Sequence, residues 1–486
     1  MTALASAQTG SGLPGNGWYT TAVIQNVGQG AAATTLDVYP QSSGTKSSVS
    51  TSISQNASAV FFPGSGGAGG NLDVAPALVG SFTGSMVISS NQPVVAIGQI
   101  TNFPVSAFNV GTPNGYAAEQ FRGSQAASST LTYPNVKSNY GNKTTVFSVQ
   151  AAGADVTYTA TIFDAAGGTH TRTGSIPANR SITLQPADFT PAMATTNCGS
   201  ANTSPCFGSI KVVATGGNIV GAVVEFVTGQ SPAQVAQATA MFADTDAGTT
   251  VYCPIFKNDF GGNHRTTGLA VANTGGAIMN VEVSFAVSAG ANAGSTYNTT
   301  ASIGPNKSVV FSPFAPANIG GMPAGNLASA TITSTNGQPA VAIVSESNPG
   351  GNPFKATIYS CFSAASATSK AAVPVFKRSY GNNTTGVAVQ NANTSGNVTV
   401  NATFVCHPAG STTNTTYGPV ASKVLAPGES DVFLDPATVP AGNLCSATLD
   451  AGGTNKIIAV VNESSDGFPA ATTYRLNTKN YEAFNL

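Results

Sequence analysis

One pattern of apolar and polar positions recurs four times along the chain. In its clearest copy an apolar lead begins at Pro374 and runs into a Tyr-Gly-Asn turn, after which an alternating run of Thr, Val and Asn continues to Asn391. Alternation with a period of two, interrupted by Gly and Asn, predicts a strand, a turn and a second strand. Earlier copies begin at Pro254 and Pro134, and a degraded copy without the lead begins at Asn16. The chain is therefore a tandem array of one unit.

The repeat divides the chain into four units, which span residues 1–122, 123–243, 244–363 and 364–486. In each unit two late apolar runs, separated by a short Gly, Asn or Ser turn, predict a hairpin. In the last unit the predicted strands lie near residues 373–377, 384–391, 397–406, 415–424, 430–434, 444–450, 456–462 and 471–477. Many short strands and no helical period predict an all-β chain of four tandem immunoglobulin-like β-sandwiches.

The arrangement of the four units has two alternatives. A four-bladed propeller would close a ring, but blades usually take ~40–50 residues, and the units here are much longer. The links Gly123 to Thr132, Ala243 to Thr250 and Ser363 to Lys370 are small and polar, and they are too short to let neighbouring units separate. We therefore expect an elongated, semi-rigid row of sandwiches.

Charged residues are scarce. Together, 18 Lys plus Arg and 19 Asp plus Glu make up 8% of the chain, against about 25% in a typical soluble domain. The net charge of -1 provides no basic surface for nucleic acid, and there is no run of about 20 apolar residues to span a membrane. Ala5-Ser6-Ala7 resembles the end of a signal peptide, although the residues before it are too few to hold an apolar core.

The cysteines indicate disulfides. They fall as two per unit in three of the four units: Cys198 with Cys206, Cys253 with Cys361, and Cys406 with Cys445. Free thiols have no reason to obey this parity, so we predict one disulfide within each of these units and an oxidising, extracellular setting. The second pair would place the first and last strands of its unit side by side, and the third pair suits a bridge between the two sheets.

A lysine and a glutamate recur together in a chain that has few charges. The pairs are Lys137 with Glu225, Lys257 with Glu346, and Lys377 with Glu463. The first unit has neither residue at the equivalent positions: its late strand ends in Gln99-Ile100, and its lead contains no lysine. Because the lysine and the glutamate are present together in three units and absent together from the first, we predict an ion pair between the lead strand and the late strand in each of those three units. An intramolecular isopeptide bond is the alternative, with Asn273 or Asn391 as the partner of the lysine.

No residues point to catalysis or to a cofactor. His170, His264 and His407 lie in three different units, so they are not expected to converge on a metal or to act as a base. Asp244 and Asp246 at a junction are too few carboxylates for a calcium site. We expect no enzyme, no metal and no cofactor, because no nucleophile, base and orienting group occur together in a recognisable motif.

The repeated pattern resembles tandem repeats in secreted surface proteins of filamentous green non-sulfur-type bacteria. The motif Pro-x-x-Lys-x-x-Tyr-Gly-Asn-x-Thr with a later Val-Gln-Asn lies at 374–391, and a closing Tyr-x-x-Phe lies at 481–484. The resemblance covers nearly the whole chain and implies an extracellular array of β-sandwiches without an assigned activity. The first unit departs from the pattern, since it has no Pro-x-x-Lys lead.

These observations predict a non-enzymatic extracellular protein that polymerises with copies of itself into a filament, sheath or surface layer. The missing lead strand of the first unit would leave a sheet edge open, and a strand of another copy could fill it. Thr2 to Leu13 and Thr473 to Leu486 are the candidate donor segments. The alternative is an adhesin or carbohydrate-binding stalk that binds a surface glycan through exposed Tyr residues and Trp18, the single tryptophan.

Overall fold

The computed structural model describes residues 2–6, 18–41, 45–61, 83–102, 118–124, 126–227, 236–262, 264–314, 317–348, 356–381, 383–408, 411, 413–465 and 478–486. These residues form an all-β structure whose strands pair into eight antiparallel sheets. No helix among them is long and apolar enough to cross a membrane. The prediction of tandem all-β sandwiches is confirmed, and each unit contributes two of the eight sheets.

The first two units show the common plan. The strands of unit 1 are β1 (Thr2–Ser6), β2 (Trp18–Asn26), β3 (Ala32–Pro40), β4 (Ser47–Ile53), β5 (Ser58–Phe61), β6 (Gly84–Ser90), β7 (Val94–Asn102) and β8 (Ala118–Arg122). The strands of unit 2 are β9 (Thr130–Lys137), β10 (Lys143–Ala151), β11 (Val156–Asp164), β12 (Thr169–Ile176), β13 (Ser181–Leu184), β14 (Phe207–Thr215), β15 (Ile219–Val227), β16 (Ala236–Ala240) and β17 (Phe242–Ala243).

The last two units repeat this plan. The strands of unit 3 are β18 (Thr250–Asn258), β19 (Thr266–Asn273), β20 (Met279–Ala289), β21 (Thr296–Ile303), β22 (Ser308–Phe311), β23 (Asn326–Ser334), β24 (Ala340–Ser347), β25 (Ala356–Ser360) and β26 (Phe362–Ser363). The strands of unit 4 are β27 (Lys370–Arg378), β28 (Asn383–Asn391), β29 (Asn401–Pro408), β30 (Thr415–Ala421), β31 (Ser430–Leu434), β32 (Asn443–Asp450), β33 (Ile457–Ser465), β34 (Thr478–Glu482) and β35 (Phe484–Asn485). The strand predicted near 471–477 lies outside the described residues.

Each unit builds one lead sheet and one inner sheet. The lead sheet contains the first strand, which we call the lead strand, and has the order β1-β6-β3-β4 in unit 1. The inner sheet has the order β5-β2-β7-β8 and ends in what we call the closing strand, β8 in unit 1 and β16, β25 and β34 in the others. As in the immunoglobulin sandwich, the second strand pairs with the fifth and the third with the sixth.

The two late strands of a unit do not form the predicted hairpin. In unit 1 β6 pairs with β1 and β3, whereas β7 pairs with β2 and β8. The short turn between them therefore carries the chain from the lead sheet to the inner sheet. The turn residues specify a reversal of direction, and the apolar faces of the two strands are buried better across the sandwich than side by side.

Both faces of the inner sheets are buried. In β33, Ile457, Ala459 and Val461 pack in the core of unit 4, while Ile458 and Val460 pack in the core of unit 3. The same contact repeats around the molecule, because the lead strand of one unit lies against the inner sheet of the next: β1 on β10 and β15, β9 on β19 and β24, and β18 on β28 and β33.

Units 4 and 1 are joined in the same way. The lead strand β27 lies against β2 and β7, and Val95 and Ile97 belong to the core of unit 4. The Ser58 hydroxyl also donates a hydrogen bond to the Pro374 carbonyl at 2.9 Å. The four units therefore close a ring, and the expectation of an elongated row is wrong. Packing against unit 4 buries the apolar outer face of the inner sheet of unit 1, and this removal of apolar surface from water favours the closed ring.

The four closing strands surround the axis of this ring. β8 contacts β16, β16 contacts β25, β25 contacts β34, and β34 contacts β8. The Thr239 hydroxyl of β16 donates to Glu482 Oε1 of β34 at 3.0 Å, which joins units 2 and 4 across the axis. The axis is therefore the place where side chains of all four units meet.

Candidate functional site

Each predicted lysine meets its predicted glutamate inside the sandwich of its own unit. The Nζ to Oε2 distances are 2.7 Å for Lys137 and Glu225, 2.9 Å for Lys257 and Glu346, and 2.9 Å for Lys377 and Glu463. The lysine lies near the end of the lead strand and the glutamate lies on the inner sheet. The pair therefore ties the two sheets together where the lead strand ends.

Additional donors surround each buried carboxylate. Glu463 Oε1 also contacts Lys479 Nζ at 2.9 Å. Glu346 Oε1 contacts Arg265 Nη1 at 2.8 Å. Burial by itself would raise the pKa of Glu463, but the ammonium groups of Lys377 and Lys479 hold that pKa down at about 2. Burial would likewise raise the pKa of Glu346, but Lys257 and Arg265 hold that pKa below its usual value, so Glu346 and Glu463 stay charged in the interior.

The asparagines proposed for an isopeptide bond lie elsewhere. Asn273 Nδ2 donates to the carbonyls of Ala277 and Ile303, and Asn391 Nδ2 occupies the corresponding place in unit 4. Both side chains lie at the opposite end of their strand from the glutamate. The isopeptide hypothesis is therefore wrong for these two residues, which instead fix the loops that follow their strands.

In unit 1 an apolar residue replaces the glutamate. Ile100 lies opposite Thr20, as Glu463 lies opposite Thr385. The lead position is not empty, because β1 pairs with β6 from Thr2 opposite Ile88 to Ser6 opposite Gly84. The predicted vacancy is thus filled by the chain's own first strand. Pairing from one side suffices to place a short strand with no sequence signature.

The other candidate donor segment is part of unit 4. Within Thr473 to Leu486 the described residues begin at Thr478, where β34 pairs with β33. β35 then pairs with the lead strand β27. These described residues therefore belong to the sandwich of unit 4.

All six cysteines are joined in the predicted pairs. Cys253 lies in β18 and Cys361 directly precedes β26, which pairs with β18. This bridge does place the first and last strands side by side. Cys406 lies opposite Cys445 on neighbouring strands of one sheet, so the expected bridge between two sheets is a bridge within the lead sheet.

The histidines and the junction carboxylates have local roles. His170 Nε2 lies 3.1 Å from Asp164 Oδ2 and its Nδ1 lies 2.8 Å from the Pro191 carbonyl, whereas His264 contacts Asp259 on the surface. Asp246 Oδ2 accepts the Ala243 N–H at 2.7 Å. Over the described ranges, no group of three or more His, Cys, Asp and Glu is placed to hold a metal ion. The Trp18 side chain lies outside the described residues.

The axial end of the closing strands holds a cavity that the sequence analysis missed. Its volume is about 330 Å³, and all four units line it. Arg122, Ala240, Ser360 and Glu482 occupy the same register position, opposite Ile97, Ala222, Ile343 and Val460. Two of these four positions carry a charge in a chain that has few charges. This uneven distribution of charge over equivalent positions is the sequence signal for the cavity. It becomes visible only when the register of the closing strands is known.

Lys143 is a half-buried amine near the axis, where its Nζ donates to Gln237 Oε1 at 3.2 Å. Burial lowers its pKa to about 7, and the ammonium of Lys137 acts in the same direction. Since the ordinary value is 10.5, the unfolded chain binds more protons between pH 7 and 10.5, and stability rises with pH in that window.

Replacing Lys143 by Met is therefore expected to raise the Tm by about 2 °C or more at pH 7, and the gain is expected to shrink towards pH 10. Thermal unfolding followed by circular dichroism at several pH values measures both effects. Exposed Lys423 provides the control, since Lys423→Met should leave Tm unchanged. A Lys143→Met variant that is less stable, or a gain that does not change with pH, would contradict the assignment.

No protein-family model matches this chain, and no curated protein matches it.

Proposed function

We propose that this chain is an extracellular, non-catalytic structural protein whose rings assemble with one another by exchanging β1. The observation that carries the proposal is the lead position of unit 1. There a separate short strand, β1, completes the lead sheet, and it is joined to the rest of the unit through residues 7–17. The three disulfides support an oxidising, extracellular setting.

The lead strand of unit 1 is held more weakly than the others. β9 lies between β14 and β17, β18 between β23 and β26, and β27 between β32 and β35, whereas among the described strands β1 is an edge strand with β6 as its partner. The chain also has Ile100 where the other units have the glutamate that binds a lead-strand lysine. Fewer contacts hold β1 in place, so it is the strand that can leave its own ring.

Exchange conserves the backbone hydrogen bonds. β1 of one ring can pair with β6 of a second ring in the same register that it adopts within its own chain, as in other strand additions and domain swaps. Because the donor strand and the acceptor edge are different surfaces, the contact is heterologous and can continue from ring to ring. The surfaces that a linear row would use for growth are already buried between units 4 and 1.

Cysteine cross-linking tests the exchange. Ala3 lies opposite Val87, so the variant Ala3→Cys/Val87→Cys forms a bond wherever β1 and β6 are paired. We expect assemblies of this variant, seen by negative-stain electron microscopy, to give a ladder of covalent multimers on a non-reducing gel. Thr132→Cys/Lys211→Cys is the matched control, because these residues are opposite each other within unit 2 and should bond within single chains.

Two outcomes would contradict the proposal. Assemblies that give monomers alone on the non-reducing gel would show that β1 stays in its own ring, and that assembly uses another surface. Single rings at every concentration, with no filament or layer in the micrographs, would remove the structural function itself.

A further inference from the structure

The axial cavity contains three buried oxygen atoms that accept no hydrogen bond. Ser363 Oγ, Glu482 Oε2 and Asn485 Oδ1 have no partner among the described residues, and all three residues line the cavity. Asn485 Nδ2 donates to the Ser366 carbonyl at 2.6 Å, which identifies the other amide atom as the oxygen. A polar atom that is withdrawn from water without a partner destabilises the fold, so the cluster indicates a ligand that supplies donors.

Glu482 stands out among the buried carboxylates. It is 2% exposed, and its Oε1 accepts hydrogen bonds from the Thr239 hydroxyl and the Ser360 N–H. The three recurrent glutamates of the sandwiches each contact a cation, whereas Glu482 accepts from neutral donors through Oε1 and has no hydrogen-bond partner among the described residues at Oε2. A buried carboxylate of this kind is completed by a positively charged group.

A cation without an anionic partner lies in the same cavity. The Arg122 guanidinium lies over the Phe484 ring, 5.9 Å from the centroid, and it makes no ion pair or hydrogen bond with the described part of the chain. Asp246, which also lines the cavity, has one oxygen bound to the Ala243 N–H. Ala126 and Ala365 also line the cavity and are exposed, so a solute can reach it past these residues.

We propose that the axial cavity binds a small α-amino acid, with its ammonium group received by Ser363, Glu482 and Asn485 and its carboxylate by Arg122. A primary ammonium has three N–H donors, which equals the number of unpartnered oxygens. A guanidinium binds a carboxylate in a bidentate manner, through two parallel N–H···O hydrogen bonds. A neutral sugar would leave both charges uncompensated, and a metal cation would leave Arg122 without a partner.

Isothermal titration calorimetry on the full chain tests this site. Glycine and L-alanine are titrated as complete ligands, acetate and methylamine as the separate halves, and glucose as a neutral solute. We expect the amino acids to bind at least about tenfold more tightly than either half, because each half leaves one charged hydrogen bond unmade. Arg122→Gln and Glu482→Gln should each weaken amino acid binding by about tenfold or more.

The exposed Glu282 on β20 supplies the matched control, since Glu282→Gln removes a carboxylate far from the axis and should leave binding unchanged. If Glu482→Gln does not fold, the partly buried Arg122→Gln decides the question, with its Tm as the check on folding. Absence of heat with both amino acids, equal binding of acetate or glucose, or binding that Arg122→Gln leaves unaltered would each overturn the proposal.

Discussion

Replacing Glu463 by Gln is expected to destabilise the folded chain by about 3–5 kcal/mol. The Glu463 carboxylate is bound by Lys377 Nζ and Lys479 Nζ at 2.9 Å, and all three side chains are at most 14% exposed. Glutamine keeps the shape but leaves two buried ammonium groups without a counter-ion. Urea denaturation followed by circular dichroism measures the loss, which should appear first as unfolding of unit 4.

A compensated variant separates charge balance from packing. Lys377→Met/Glu463→Ile/Lys479→Met makes this site apolar, and it places at position 463 the isoleucine that the first unit has at the corresponding register, Ile100. Replacing a whole buried ion cluster by apolar residues is commonly neutral or stabilising, so the triple variant should recover most of the lost stability. Glu282→Gln, at an exposed position, serves as the control and should change stability by less than about 0.5 kcal/mol.

The same site has a defined acid dependence. The pKa of Glu463 is about 2 in the folded chain and 4.5 ordinarily, so its contribution is complete above pH 4.5 and disappears as pH falls towards 2. The stability difference between the native chain and Glu463→Gln should therefore close over that range. A difference that persists at pH 2, or a triple variant no better than the single one, would show that the charges are not what holds the two sheets.

The sandwich class and the pairing of charges follow from the sequence because both are local and repeated. Alternating strands with Gly and Asn turns specify sheets, and a lysine and a glutamate that appear and disappear together specify a contact. The turn between two late strands specifies a reversal but not which sheet receives the second strand. For that reason the predicted hairpin was wrong although both of its strands exist.

Ring closure has a signal in the sequence. Val94 to Ile97 in unit 1 and Ile457 to Val461 in unit 4 are continuous apolar runs, and continuous runs are typical of strands that are buried on both faces. The inner sheets of units 2, 3 and 4 are each covered by the unit before them, so unit 4 is the remaining unit of this sequence that can cover the inner sheet of unit 1. In contrast, Thr2 to Ser6 carries no strand motif, and the cavity depends on register, so neither could be derived from the pattern alone.

Replacing Val95 by Asp is expected to open the ring between units 1 and 4. Val95 is fully buried and belongs to the core of unit 4, so a carboxylate there is an unpaired charge within an apolar contact and costs several kcal/mol. In an open row the same position would lie on the free outer face of the first unit, and the substitution would have little effect. The variant therefore distinguishes the two arrangements directly.

Small-angle X-ray scattering and urea denaturation measure this effect. The native chain should have a radius of gyration near the value of about 23 Å that a compact chain of this length follows, and Val95→Asp should increase it and lower the stability. Val213→Asp is the control, because Val213 is 41% exposed on β14 and should behave as the native chain. If both variants were equally benign, the face of unit 1 that carries Val95 would be in water and the ring would not be closed in solution. A closed ring requires a large difference in radius of gyration and stability between Val95→Asp and Val213→Asp. The reason is that the ring is closed by the burial of this one face of unit 1 against unit 4.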